Sequence, residues 1–394
     1  MILTLCHDAL IVGGGPAGCT LAIALARAGR HAVLIEKSKS AQHKVCGEFL
    51  SPESLPYLRR IGIHPEELGA QTIHSMRVAG RDVITEVELP SPALSLTRRT
   101  LDESLLLSAQ HAGVSLLRGY TVEHLSRDGA QYRTNHGSGV ASGLWHAQIK
   151  DTSHSSISIH GQDAFLATGK HDLRGWQREA RGTQDNLVAL KMYFVLSPEQ
   201  QAKIAGHVEL ILYSDGYAGL QPVESGMVNL CALITRDKLR SLDGRWDRLL
   251  EHMQHHSPHL ARRLSGARQV LDRPLALSAI PYGYCVGPAI DEPSPWRLGD
   301  QAAVIPSFCG DGMGIALYTA ERAAELYLSG STSAAFHAEA RREFKHRLYY
   351  TTMLSRLMIA MPAIAQVARL WPSALTEIFT ATRLPGSVIH AASH

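Results

Sequence analysis

The sequence predicts an α/β fold in which a parallel-sheet domain is interleaved with an antiparallel-sheet domain, followed by a helical C-terminal part. Three observations predict it. Asp8 to Val12 is a short apolar run, followed by "GGGPAG", a helical stretch from Ala17 to Ala28 and a second apolar run from Ala32 to Ile35. That order of strand, tight turn, helix and strand is a βαβ unit of about 30 residues. The stretches 73–96 and 187–277 differ, carrying alternating segments such as "ALKMYFVL" and "MVNLCALI" that read as an antiparallel sheet. From Ser333 onward the chain is mostly amphipathic and helical.

In chain order, Leu101 to Ala112 is the next helix, introduced by Arg98. Val114 to Leu117, His146 to Ile149 and Ser156 to His160 read as strands, the last by alternation. "DAFLATG", Asp163 to Gly169, is a buried strand ending in a glycine turn. Trp246 to His255 is a helix within the second insertion. The expected division is a discontinuous nucleotide domain at 1–72, 97–172 and 278–330, a substrate domain at 73–96 and 173–277, and a helical region at 331–394.

Composition narrows the class. The 394 residues are 45% hydrophobic and 19% charged, an ordinary globular balance with ample chain for a large core. A net charge of +3, with no block of like charges, argues against a nucleic-acid partner. The six cysteines are scattered without a C-x-x-C pair, which favours reduced thiols over a zinc site or a disulfide framework. The N-terminus lacks the basic region of a signal peptide. The apolar stretch Leu357 to Trp371 contains Pro362, Gln366 and Arg369 and falls short of the roughly 20 residues a membrane span requires. A soluble, cytoplasmic protein is expected, with packing onto its own chain favoured over peripheral membrane contact for the C-terminal segment. His252, His255, His256 and His259 have helical spacing, but Pro258 interrupts them and no carboxylate or cysteine nearby completes a metal set. A solvated polar face, and no metal, is expected there.

Two glycine-rich turns carry the chemistry. Gly13-x-Gly15-x-x-Gly18 follows a strand and opens a helix. The first glycine makes the turn, the second lets a pyrophosphate approach the backbone, and the third permits close helix packing. The helix N-terminus supplies free N–H groups and a favourable dipole. Glu36 ends the next strand about 20 residues on, where an acid binds the ribose hydroxyls of FAD or NAD. The second turn, "RLGDQAAVIPSFCGDGMGIAL" from Arg297 to Leu317, places Gly310, Gly312 and Gly314 at another helix start. A second anion-friendly helix end so far along the chain suits a long ligand such as FAD, its amides facing the flavin's pyrimidine edge.

These segments, with "KVCGEFLSPESLPYLRRIGI", "LTRRTLDESLL" and "AFLATG", resemble the glutathione-reductase-type flavoproteins of the aromatic hydroxylase and geranylgeranyl reductase branch. The resemblance implies a Rossmann-type FAD-binding domain, with Asp300 at the ribityl and pyrophosphate region, Pro306 beside the flavin ring and Arg98 near the cofactor. Together, motif and resemblance make Gly13, Gly15, Pro16, Ala17, Gly18, Glu36, Lys37, Cys46, Gly47, Arg98, Val122, Thr168, Gly169, Asp300, Pro306, Gly310, Gly312, Met313 and Gly314 the candidate FAD contacts. "KVCG" is similar to the "K-x-C-G" of geranylgeranyl reductase relatives, where the cysteine lies near the substrate face of the flavin. Tyr217 and Pro222 match that group's "Y-x-W-x-F-P", with Gly219 in place of the tryptophan. The tryptophan-rich signature of flavin halogenases is absent. Cys46, Tyr217, Pro306 and Gly312 are the candidate catalytic positions.

The expected function is that of an FAD-dependent oxidoreductase acting on a small hydrophobic or aromatic substrate. Monooxygenation through a flavin C(4a)-hydroperoxide is the leading expectation, because it asks the protein mainly for position, dryness and dipoles. Reduction of a double bond in a lipid-like or polyketide substrate is the first alternative, and a non-catalytic or electron-transfer flavoprotein the second. No second G-x-G-x-x-G follows a strand, so electrons are expected from transiently bound NADH or NADPH or from a separate reductase.

Overall fold

The computed structural model describes residues 6–81, 83–127, 143–180, 183–287, 294–370, 377 and 383. Two sheets organise them. The first has seven strands, with a parallel core of Ser115–Arg118, Ala32–Glu36, Cys6–Val12 and Ser156–Leu166. Leu10, Ile11 and Leu34 are fully buried, as expected of a parallel sheet covered on both faces. Thr121–Arg127 and Trp145–Lys150 continue this sheet as an antiparallel meander beside Ser156–Leu166. The two stretches read separately as Ser156 to His160 and Asp163 to Gly169 are one 11-residue strand. Its first half pairs with the meander and its second half with Cys6–Val12, so the change of burial pattern along it marks a change of neighbour, not a break.

Among the described residues the second sheet has nine strands, eight centred on the two inserted stretches and one, Phe49–Leu50, from the segment 1–72 expected to belong to the nucleotide domain; it pairs antiparallel with Ile84–Ser95 at the sheet edge. Gln71–Ala79 and Ile84–Ser95 join strands from Leu187 to Ser278 in this sheet. The expected wholly antiparallel order needs one correction. His207–Tyr213, which joins the two insertions, runs parallel to Gln71–Ala79, an orientation that the long connection between them permits and a hairpin would not.

Helices fix where the two sheets meet. Pro16–Arg27 opens directly from the first glycine turn, with Pro16 at the position where a missing N–H costs nothing. The helix after Leu96 starts at Arg98, three residues earlier than the sequence suggests, because Thr97 caps it by accepting the Thr100 N–H. Gly312–Leu328 lies against Pro16–Arg27. Gly299 turns the chain between them at φ +57°, a left-handed conformation that favours glycine, and a Cβ there would stand in van der Waals contact with both Ala17 and Ala316, at 3.4 Å. The long helix Ser333–Ala360 is pinned to the first sheet by Phe336 on Trp296, which stacks in turn on Phe165. Ile364–Leu370 follows, and the remainder of the expected C-terminal helical region, apart from Glu377 and Arg383, lies outside the described residues.

Candidate active site

Both glycine turns open into one cavity of about 750 Å³, within the usual range for ligand sites. At its first end Gly13 takes φ +111°, and a Cβ there would lie 2.4 Å from the Ala167 carbonyl oxygen, so only glycine fits. The strand ends are tied by Gly13 N–H to Ile35 O and Ala167 N–H to Val12 O, each 2.8 Å. Glu36 is buried, with Oε2 accepting from Gly14 N–H at 2.8 Å and Oε1 from Ser38 N–H at 2.9 Å. Each carboxylate oxygen keeps a lone pair for a ligand hydroxyl.

At the second end, Leu298 N–H donates to Leu166 O at 2.9 Å, leading the chain into the tight turn at Gly299 and Asp300. The Asp300 side chain lines the cavity, while its main-chain oxygen accepts from Arg178 at 3.0 Å. The helix beginning at Gly312 aims its N-terminus at the same space, and a Cβ on Gly312 would meet nothing within 4 Å. Two helix N-termini facing one elongated cavity with open glycine backbone fit a dinucleotide such as FAD. Its phosphates would lie at the first turn and its ring at the second.

Gly13, Gly15, Pro16, Ala17, Glu36, Lys37, Cys46, Gly47, Arg98, Val122, Thr168, Gly169, Asp300, Gly310, Gly312, Met313 and Tyr217 all line this cavity. Three candidates do not. Gly18 packs behind the first turn, which is the role its motif position assigns. Pro306 and Gly314 are buried behind the second, where they shape the turn and the helix rather than the wall.

Several lining groups escaped the sequence reading. The loop carrying Cys46 is clamped by Asn229, whose Nδ2 donates to Cys46 O at 3.1 Å and Gly47 O at 2.8 Å. Asp102 is buried beneath it and accepts from Arg98 Nε at 2.7 Å, Arg98 Nη2 at 2.9 Å and Lys44 Nζ at 2.7 Å. Burial works against the Arg98 charge, but Asp102 and the neighbouring Cys46 outweigh it and push its pKa up. A fixed cation therefore stands between the first glycine turn and the Cys46 thiol. Also lining the cavity, the Tyr217 hydroxyl lies 3.4 Å from Ser307 Oγ, and burial pushes its pKa well above the ordinary phenol value. Glu48, His43, Lys170, Gln221 and Tyr282 also line the cavity. The neighbouring "KVCGEF" and "ALKMYFVL" segments held the available clue, since a charged residue inside a buried run needs a partner.

The histidine cluster is not a uniformly solvated face. His259 is buried, and its Nε2 lies 2.9 Å from the Glu209 carboxylate, which comes from the second sheet. His252 instead contacts Ser214 O, and His256 contacts His252 O. No group of three metal-ligating side chains occurs among the described residues, and no described helix is long and apolar enough to cross a membrane.

Comparison with known proteins agrees with this geometry. Residues 7–141 match the family described as "FAD binding domain". The chain is 26% identical over 340 residues to a menaquinone reductase of Mycolicibacterium smegmatis, covering 83% of this chain and 77% of that one. It is 33% identical over 147 residues to the 6-methylpretetramide 4-monooxygenase of Streptomyces rimosus, covering 35% of each chain. Among solved structures it is similar in fold to the flavin-dependent brominase Bmp2, with a TM-score of 0.74 at 17% identity over 96% of this chain and 93% of that one. The chain thus carries an FAD-binding domain at its N-terminal end and is an FAD-dependent oxidoreductase.

Proposed function

We propose that this oxidoreductase reduces a carbon–carbon double bond in a lipid-like substrate of the polyprenyl quinone kind. The observation that carries this reading is the cavity's lining. Apolar side chains from the second sheet, among them Met76, Leu210, Leu233 and Leu277, line the same cavity as protic groups at Cys46 and Glu48. Such a lining suits a greasy substrate that must receive a hydride at one carbon and a proton at the other. Bound FAD supplies the hydride, drawn from NADH, NADPH or a separate reductase. The chain supplies the proton, the orientation and the exclusion of water. Similarity to menaquinone reductases supports this reading because it runs through both sheets. A second reading, oxygen insertion into an aromatic substrate, is supported by the higher identity to a monooxygenase, which covers about a third of the chain.

One experiment separates them. FAD-loaded enzyme is photoreduced without oxygen and mixed with a menaquinone bearing a tetraprenyl side chain, and the product is reoxidised in air before mass analysis. Reduction of the ring alone reverses in air; a retained gain of two hydrogens on the side chain is the expected result. Oxygen-dependent product carrying a new oxygen atom would overturn the reading in favour of the monooxygenase.

The placement of Asp300 makes a further expectation. Losing its charge-assisted hydrogen bonds to the cofactor costs about 1.5–3 kcal/mol. Asp300→Ala is therefore expected to weaken FAD binding roughly tenfold or more while the fold is kept. Titration of apoprotein with FAD measures this, and unchanged affinity would place the ribityl–pyrophosphate region elsewhere.

A further inference from the structure

Glu48 stands two residues after Cys46 on the same cavity wall and is fully buried. Its two carboxylate oxygens are treated very differently. Oε1 accepts from Lys191 Nζ at 2.6 Å, the Tyr193 hydroxyl at 2.7 Å and Arg98 N–H at 2.8 Å. Oε2 is buried and has no hydrogen-bond partner. Lys191 is itself fully buried, and its second bond runs to Lys44 O at 3.0 Å. Glu48 also holds φ +64°, a left-handed conformation that a glutamate rarely adopts. A buried carboxyl group with one orphaned oxygen, set against a buried lysine on a strained backbone, is a poor stabiliser, and such features collect at functional sites.

The hydrogen bonds also have a direction. Tyr193 has one hydroxyl proton, and it points at Glu48. His43 Nδ1, 3.0 Å from the same hydroxyl, must then carry the proton that it donates to the tyrosine oxygen. His43 is half-buried and adjoins the exposed Gln42. Burial, with Lys191 nearby, lowers its pKa to about 4, so it is a neutral imidazole that can pass a proton between its two nitrogens.

The geometry points to Glu48 as the proton donor to a substrate bound in the cavity, with Tyr193 and His43 as the line that replaces the proton. This assignment rests on the double-bond reading above. The Glu48 Oε2–H bond breaks as a C–H bond forms at one alkene carbon, while the hydride from reduced FAD adds to the other. The alkene gains two electrons and the cofactor loses two. The carboxylate left behind is held by Lys191, Arg98 N–H and Tyr193. The Tyr193 proton then moves to Glu48, the His43 Nδ1 proton moves to Tyr193, a solvent H⁺ (the one proton the reaction consumes) adds at His43 Nε2, and tautomerisation through solvent restores the Nδ1–H form. Rotation of the carboxyl group then presents the proton to the cavity, from which the buried Oε2 is otherwise shielded. Burial is also the largest influence on Glu48 itself and pushes its pKa up, in the direction a resting acid needs.

Two measurements on the FAD-loaded enzyme test this. The first needs no substrate: infrared difference spectra between H₂O and D₂O are compared for wild type and Glu48→Gln. A protonated-carboxyl band that disappears in the variant is expected, and its absence from wild type would overturn the donor role. The second is an anaerobic single turnover with the tetraprenyl menaquinone. Glu48→Gln is expected to slow the first turnover by about 100-fold or more, with FAD absorbance and quinone binding unchanged. Wild-type speed would overturn the assignment. Tyr193→Phe and His43→Phe are expected to slow repeated turnover more than the first, and equal loss in both would remove the relay. If Glu48→Gln fails to fold around the unpaired Lys191, the neutral pair Glu48→Gln with Lys191→Met takes its place in both arms. If wild type leaves the side chain unreduced, the double-bond reading falls, and the infrared band alone decides whether Glu48 holds the proton.

Discussion

Gly18→Ala is expected to yield a protein that no longer holds FAD and is less stable than wild type. A Cβ on Gly18 would lie 1.9 Å from the Gly13 carbonyl oxygen and 3.3 Å from Ala167 Cβ. The first of these is a backbone atom, so no rotamer change relieves the clash, and either the helix or the turn must move. The turn has little room, because Gly13 is pressed against the Ala167 carbonyl and tied to Ile35. Overpacking of this kind typically costs about 1–3 kcal/mol, and here the displaced atoms are the expected phosphate cradle. Gel filtration followed by absorbance spectroscopy measures the bound flavin, and thermal melts of the apoproteins measure the fold. Gly312→Ala is the control. It has open space where the methyl group would go, so the apoprotein should melt like wild type, and any loss of flavin would come from contact with the ligand. A Gly18→Ala protein carrying a full complement of FAD would show that the helix is not held against the turn as described.

The dinucleotide turn was readable because its physics is local. Strand, glycines, helix and Glu36 all lie within the first 36 residues, and each constraint acts on near neighbours. The second turn was readable for the same reason, since Gly310, Gly312 and the helix they open are adjacent in sequence. Pro306, expected beside the flavin ring, shows the limit: whether it faces a ligand depends on how the helix rolls against Pro16–Arg27. The Glu48 network was not legible. Tyr193 lies 145 residues beyond Glu48, and the two meet because the Cys46 loop is clamped to Asn229, the register partner of Tyr193. Lys191 did leave a trace, as a lone charge in the otherwise apolar "LVALKMYFV", but nothing local names its partner. The histidines failed for the same reason. Their spacing predicted a helix face, and the helix does run from Trp246 to His256, yet the partner of His259 comes from another layer.

That partner, Glu209, carries the second large expected effect. It is fully buried in the second sheet, with Oε1 accepting from Arg263 Nη2 at 2.6 Å and Arg77 Nη1 at 3.3 Å. Oε2 lies 2.9 Å from His259 Nε2 and 3.3 Å from Arg263 Nε. Burial alone would push its pKa up. Hydrogen bonds and charge from His259 and Arg263 outweigh burial and hold it down at about 2, against 4.5 for a free glutamate. A folded-state pKa below the unfolded one gives stability that is fully present above pH 4.5 and lost as pH falls toward 2. At 1.36 kcal/mol per unit this amounts to about 3 kcal/mol. Glu209→Gln removes the charge and leaves Arg263, only 4% exposed, buried without its counter-ion. Breaking a buried pair from one side in this way costs about 3–5 kcal/mol at neutral pH. Urea unfolding of both proteins between pH 7 and pH 2.5 is the measurement. The gap between them should be widest at neutral pH and shrink below pH 4.5, as the wild-type carboxylate becomes protonated while the glutamine has nothing to titrate. A gap that stayed constant across that range would mean that packing of the side chain, rather than its charge, ties His259 and Arg263 to the sheet.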